Sequence, residues 1–291
     1  MGYKTLVFME GNSMVNLDEF KKNKEFLICV DSDGCAMDTM DIKHFKCFGP
    51  CMIKEWNLTE WEDEILERWN QINLYSMTRG INRFAGLSKA LEEIDKKYCE
   101  IEGIADFVEW TNTAAELSNR AVERRIEETG CPIYSKVLNW SLEVNKSIDK
   151  LSDDEKRPFN GVKEGLLMAQ KYADVAVVSS ANKEAVVEEW ERCNLLGTVD
   201  CLCCQDSGTK AICIEKLKAL GYEEDKILMI GDAPGDRKAA KINKVNFYPI
   251  LVKHEKESWE EFVNVAIKKF IGLDYKEYQE IKEKEFLDNL K

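Results

Sequence analysis

The chain has 291 residues, more than one average domain needs, and 44% hydrophobic content with seven tryptophans allows a substantial core. A formal net charge of −13, from 54 acidic and 41 basic residues, comes with no basic stripe. This argues against a nucleic-acid partner and against a membrane surface. Eleven cysteines lack the regular spacing of a disulfide framework, and neither a signal-peptide core nor a membrane-length apolar run is present. Reduced thiols in a cytoplasmic protein are the expectation.

The first 22 residues read as an extension, in which Lys4–Met9 has the character of an edge strand. Phe26-Leu-Ile-Cys-Val30 is a continuous apolar run leading into Asp31-Ser32-Asp33-Gly34, the pattern of a strand buried on both faces. From about Asp41 to Lys150 the period becomes helical, and five of the seven tryptophans fall there. Thr59-Glu-Trp-Glu62 has the form of a capping box. Further helices are predicted over Ala90–Lys97, Phe107–Thr129 and Ile133–Lys150, with Gly130-Cys-Pro132 separating the last two. Ser152-Asp-Asp-Glu155 is a second capping box, whose short helix Arg157-Pro158 stops.

From Gly161 onward helix and apolar strand alternate. Val162–Tyr172 reads as helix, Ala173–Val178 as strand, Lys183–Asn194 as helix and Val199–Cys203 as a short strand. Thr209–Leu220 is helix, Lys226–Ile230 strand, Arg237–Ile242 helix and Val245–Leu251 a last strand. The tail, Ser258–Lys291, reads as a charged, solvated docking helix. Such alternation implies βαβ crossovers. The predicted fold is α/β, a Rossmann-like doubly wound parallel sheet with an all-helical domain inserted after its first strand. The predicted division is an extension over 1–22, a core over 23–42 and 155–291, and a helical insertion over 43–154.

The chemistry-bearing residues fall at strand ends. Asp31 and Asp33 are two apart in extended chain and so project to one side, past the carboxyl end of a strand, where open α/β sheets bind ligands. Asp232 and Asp236 follow the run Ile227-Leu-Met-Ile-Gly231. Four like charges at one sheet edge repel unless a cation sits among them. Ser179 ends the second core strand, and Lys210 opens the helix before the fourth. A nucleophile, a proton carrier, a hydroxyl donor, an ammonium and metal-binding carboxylates form a set of parts for phosphoryl transfer.

These motifs resemble those of the haloacid dehalogenase superfamily. The first, Asp-x-Asp-Gly, stands as Asp31-Ser-Asp33-Gly34, with Asp38-Thr39 following. The second stands as Val177-Val178-Ser179, the third as Lys210, and the fourth as Gly231-Asp232-Ala-Pro-Gly-Asp236. The resemblance implies a Mg2+-dependent phosphatase acting on a small phosphorylated metabolite. Asp31 would be the nucleophile and Asp33 the acid and base, with the Asp33 backbone carbonyl also on the metal. Asp31, Asp232 and Asp236 would supply carboxylates to Mg2+, with Asp236 acting through water or by orienting Lys210. Ser179 and the amides of Ser180 and Ala181 would hold the phosphate.

Three features depart from the pattern. Cys35 replaces the usual Thr or Val, and Ala211 follows Lys210 where Pro is common, leaving Lys216 as the alternative lysine. The insertion is larger than usual for a helical cap of the first type, which it otherwise resembles. Within it, Tyr75–Arg83 does not read as a clean helix, and Arg79 and Arg83 are expected to face the active site and meet a second anionic group. A phosphomutase uses the same core, and a relative that binds without turnover is a third reading. Zinc sites at His44, Cys47 and Cys51 or at Cys201, Cys203 and Cys204 lack the spacing of a partner pair. The tryptophans of the insertion are expected to pack as core.

Overall fold

A computed structural model describes residues 15–291. The expected edge strand at Lys4–Met9 lies outside the described residues, as does the 1–14 part of the extension. The apolar runs form one six-stranded, wholly parallel sheet. Its strands are β1 (Val15–Asn16), β2 (Phe26–Val30), β5 (Ala173–Val178), β6 (Cys201–Cys203), β7 (Ile227–Gly231) and β8 (Asn246–Pro249), in the order β1-β6-β5-β2-β7-β8. A two-stranded antiparallel pair joins β3 (Met37–Asp38) to β4 (Arg157–Pro158). The strand carrying Asp31 is thus central, between the strands that carry Ser179 and Asp232.

Every residue of β2, β5 and β7 is buried, because helices cover both faces. Ile28, Val30, Val175, Val177, Leu228 and Ile230 share one cluster with Trp190, Trp259, Phe262 and Phe270. Leu27, Cys29 and Met229 alternate with them and are also buried. At the β8 edge, the Phe247 N–H donates to Gln279 Oε1 (3.0 Å) and its carbonyl accepts from the Tyr275 hydroxyl (3.2 Å). Side chains thereby occupy backbone groups that another strand would otherwise pair.

That edge corrects the reading of the tail as one solvated helix. Glu255–Glu261, a π-helical turn Phe262–Ala266 and Ile267–Ile271 run on from one another, and Lys276–Asn289 follows as a separate helix. Trp259, Phe262, Ile267, Phe270 and Phe286 are buried. Charged residues dominate the composition of this segment and mask its apolar stripe.

The chain divides into two compact units, one ending at Asp38 and resuming at Arg157, the other spanning Thr39–Lys156 with the short piece Ala233–Gly235. The second unit is helical: Gly49–Trp56, Glu62–Leu74, Arg83–Lys97, Ile104–Thr113, Asn119–Thr129 and Pro132–Ile148 are its longer helices. Trp69 and Trp140 pack edge-to-face in its core with centroids 6.1 Å apart, and the Trp140 indole donates to Phe48 O at 3.1 Å. Its tryptophans are packing residues, with Trp61 only partly buried against the cluster that holds the others.

Two local expectations change. Phe107–Thr129 is two helices, broken between Thr113 and Asn119, where Ser118 caps the second by accepting from Ala121 N at 3.2 Å. Thr59–Trp61 is a single 3-10 turn without a side-chain cap, and the following helix starts at Glu62. The Ser152–Glu155 capping box is present. Among the described residues, no helix is long and apolar enough to cross a membrane.

Candidate active site

Three carboxylates meet at the carboxyl ends of β2 and β7. Asp31, Asp232 and Asp236 are buried, and one oxygen of each lies within 4.8 Å of the others. Asp31 follows β2 and is held in register by its N–H on Ile230 O (3.0 Å). Asp232 follows β7, and Asp236 lies in the first turn of the helix Pro234–Asn243, where the helix dipole favours an acid. Gly231 makes the close approach possible: a Cβ there would lie 2.4 Å from Asp236 Cβ and Cγ.

Lys210 completes the cluster. Its Nζ lies 2.7 Å from Asp31 Oδ2 and 2.5 Å from Asp236 Oδ1. It stands first in the helix Lys210–Lys218, whose N-cap Thr209 accepts from Ile212 N at 3.3 Å. A lysine opposes the dipole at that position, so the carboxylates set its direction. Lys216, the alternative, is exposed and donates to Ser207 O at 3.2 Å. Of the two lysines, Lys210 is the one beside the carboxylates.

The charge balance follows from burial. Desolvation raises the Asp31 carboxyl well above its ordinary range, Lys210 opposes this, and Asp236 and Asp232 push further upward. Burial lowers the Lys210 ammonium, but Asp236 and Asp31 more than reverse that and hold it above its usual value. Three carboxylates around one ammonium suit a small hard cation with oxygen ligands. The donor set therefore fits Mg2+.

The loop after β2 is tightly wound. Ser32 O accepts from Ala36 N (2.9 Å) and Met37 N (2.8 Å), and Gly34 N donates to Met37 O (2.9 Å). Gly34 takes a φ of +81°, which a side chain would strain. Ser32 N donates to Asp31 Oδ1 at 2.8 Å, so Ser32 and Lys210 hold the two oxygens of one carboxylate. The half-buried Asp33 lies on this loop, and its carboxylate stands outside the three-carboxylate cluster.

Ser179 ends β5, buried, with its N–H on Cys203 O at 2.9 Å. Its hydroxyl accepts from Ala181 N at 3.1 Å. The Ala181 amide is thus engaged by Ser179 within the turn, and Ser180 is exposed. Arg79 and Arg83 each have partners within the helical unit. Arg79 is buried and donates to Leu74 O at 2.8 Å, with Asp41 3.9 Å away. Arg83 donates to Ser141 Oγ (3.2 Å) and Asn145 Oδ1 (2.8 Å) and lies 5.1 Å over the Phe48 ring. These contacts seat Arg83 within that unit. Motif reading passes over two further residues, Trp190 and Trp259, whose indoles reach the Asp31 loop; nothing in their spacing signals it.

A family model described as haloacid dehalogenase-like hydrolase matches residues 111–250. That stretch contains Ser179, Lys210, Asp232 and Asp236 and stops short of Asp31, which the fold brings to the same cluster. Among curated proteins no sequence matches. Solved structures of similar fold include a haloacid dehalogenase-like family hydrolase from Streptococcus pneumoniae, at 13% identity, covering 81% of this chain and 90% of that one, TM-score 0.50. A provisionally assigned β-phosphoglucomutase from Thermotoga maritima has 16% identity, 84% and 99% coverage and TM-score 0.50. A provisionally assigned phosphoglycolate phosphatase from Lactobacillus delbrueckii subsp. bulgaricus has 18% identity, 77% and 85% coverage and TM-score 0.49. At such identities the likeness speaks for fold alone. The sequence match spans just under half of the chain, and the fold is similar to that of a haloacid dehalogenase-like hydrolase.

Proposed function

We propose that the protein is a Mg2+-dependent phosphatase that hydrolyses a small phosphomonoester through an aspartyl-phosphate at Asp31. The observation that carries this reading is the meeting of Asp31, Asp232, Asp236 and Lys210 at one buried point. Asp31, Asp232 and Asp236 would hold the cation, with the Asp33 carbonyl beside them. Bound Mg2+ would supply positive charge that keeps Asp31 ionised and offsets the charge of the incoming phosphate.

The remaining chemistry belongs to the chain. An Asp31 carboxylate oxygen forms the bond to phosphorus while the ester P–O bond breaks, and Asp33 gives its proton to the leaving oxygen. Water then attacks the phosphorus, Asp33 takes the water's proton, and phosphate leaves as the Asp31 carboxylate is restored. Lys210 is placed to balance charge on the transferring group. The Ser179 hydroxyl and the Ser180 amide hold the phosphate. The helical unit, inserted directly after the Asp31 loop, serves as a lid that excludes water. A second acid at Asp33 favours ester hydrolysis over halide expulsion, which needs no proton.

All eleven cysteines are free thiols, which supports a reducing, cytoplasmic setting. The partner is a small phosphorylated metabolite; net charge disfavours nucleic acid and membrane. Hydrolysis of p-nitrophenyl phosphate tests the reading. Wild-type protein should release p-nitrophenol with Mg2+, lose activity to a chelator, and lose it again in Asp31→Asn. Isomerisation of a sugar phosphate without phosphate release would point to a mutase instead.

A further inference from the structure

The loop that carries Asp31 and Asp33 closes on itself through Ser32 O and is tied to the fold beyond it, where Ala36 O accepts from Phe159 N at 3.0 Å and Met37 pairs with Pro158. Two buried indoles add ties within the loop itself. Trp190, in the helix Lys183–Arg192, donates Nε1–H to Ser32 Oγ at 2.9 Å. Trp259, in the helix Glu255–Glu261, donates Nε1–H to Cys35 O at 3.0 Å. Both side chains are wholly buried in one apolar cluster. A buried indole N–H left without an acceptor is costly, so each ring has one favourable place. The acceptors are the residues on either side of Asp33-Gly34.

The seat of Trp259 is prepared elsewhere in the fold. A Cβ on Gly165, inside the helix Val162–Gln170, would lie 2.5 Å from Trp259 Cε3 and 2.8 Å from Cζ3. Glycine within a helix costs about 1 kcal/mol relative to alanine. Here it leaves space for the indole.

We infer that Trp190 and Trp259 are positioning residues that clamp the loop at Ser32 and Cys35 and so hold Asp31 and Asp33 in register with Lys210, Asp232 and Asp236. The link to Asp31 is direct, because Ser32 N donates to Asp31 Oδ1 and any shift of Ser32 turns that carboxylate. The inference rests on the phosphatase reading for its catalytic consequence, since reacting groups must be held within fractions of an ångström. It also assigns a role to the C-terminal segment: one of its helices reaches the nucleophile loop.

The test uses Trp190→Phe, Trp259→Phe and Ser32→Ala in the full chain. Each removes one hydrogen-bonding partner and keeps most of the packing. In each variant kcat should fall about tenfold or more with KM little changed, and in the tryptophan variants the amides of Ala36 and Met37 should exchange about tenfold faster. Trp190→Phe with Ser32→Ala should be no worse than either alone, because one bond is removed in all three. Unchanged kcat, unchanged exchange, or additive losses in the double variant would overturn the inference. Ser32→Ala keeps the Trp190 clamp testable should Trp190→Phe not fold. If wild-type protein hydrolyses no phosphoester, the phosphatase reading falls. The clamp is then judged on amide exchange and on Mg2+ affinity by calorimetry, and no change in these would overturn it.

Discussion

Gly231 and Asp236 are in such close approach that no side chain fits between them: a Cβ on Gly231 would meet Asp236 Oδ2 at 2.5 Å as well as its Cβ and Cγ. The Gly-Asp step is therefore a steric requirement for the acidic cluster. Gly231→Ala should displace Asp236 from Lys210 and destabilise the fold by about 1–3 kcal/mol. Urea denaturation measures the loss of stability, and a Mg2+ titration should show weakened binding.

Lys210 is the ammonium within the acidic cluster, and Lys216 donates to Ser207 O instead. Lys210→Met removes a buried partner of Asp31 and Asp236, which should cost about 3–5 kcal/mol and lower kcat by about 10²–10³-fold. Lys216→Ala should leave both within experimental error. Steady-state hydrolysis and chemical denaturation of the two variants side by side distinguish them.

At the opposite, amino-terminal end of β5, the wholly buried Asp174 accepts from the N–H groups of Asn23 (2.8 Å) and Lys24 (2.9 Å) and from the Tyr222 hydroxyl. It ties the segment before β2 to the neighbouring strand. Asp174→Ala leaves these donors without their acceptor and should cost about 3 kcal/mol or more; Tyr222→Phe removes a single bond and should cost about 1 kcal/mol. Thermal and urea unfolding check both, and catalytic constants of the folded fraction should be unaffected.

The helical unit carries a pH-sensitive tie between the start and end of its chain. Glu155 is bonded by Lys46, and by the N–H and hydroxyl of Ser152 at 2.9 and 2.8 Å, and its carboxyl is held down at about 2 against an ordinary 4.5. A lowered folded-state pKa gives stability that is present above the unfolded value and is lost as pH falls through the folded one. The stability advantage of wild type over Glu155→Gln should be full above about pH 5 and fade between pH 4.5 and 2. Carboxyl titration by NMR reads the pKa itself. An advantage that persists unchanged at pH 2 would contradict the assignment.

The strands of the core were legible because burial on both faces leaves unbroken apolar runs: Phe26–Val30 and Ala173–Val178 are strands to the residue. Asp31, Lys210, Asp232 and Asp236 were readable together because each stands at an element end that a parallel sheet must gather on one edge. Other features depend on tertiary contacts that carry no periodic signal. Nothing local at Ala114–Leu117 forces the helix break there. Thr59 is in the right pattern for a cap, but the chain makes a 3-10 turn around it. The Ala181 amide belongs to Ser179 in a turn that residue identity alone does not specify. Trp259 sits in a segment dominated by charge, and its acceptor lies far away at Cys35.

The central claim is that Asp31 becomes phosphorylated during turnover. Acid-quenched wild-type protein, mixed with a phosphoester and Mg2+ and mapped by peptide mass spectrometry, should carry one phosphoryl group on the peptide containing Asp31, absent in Asp31→Asn. Hydrolysis proceeding with no phosphoryl group on that peptide, or with the group on another residue, would contradict the account.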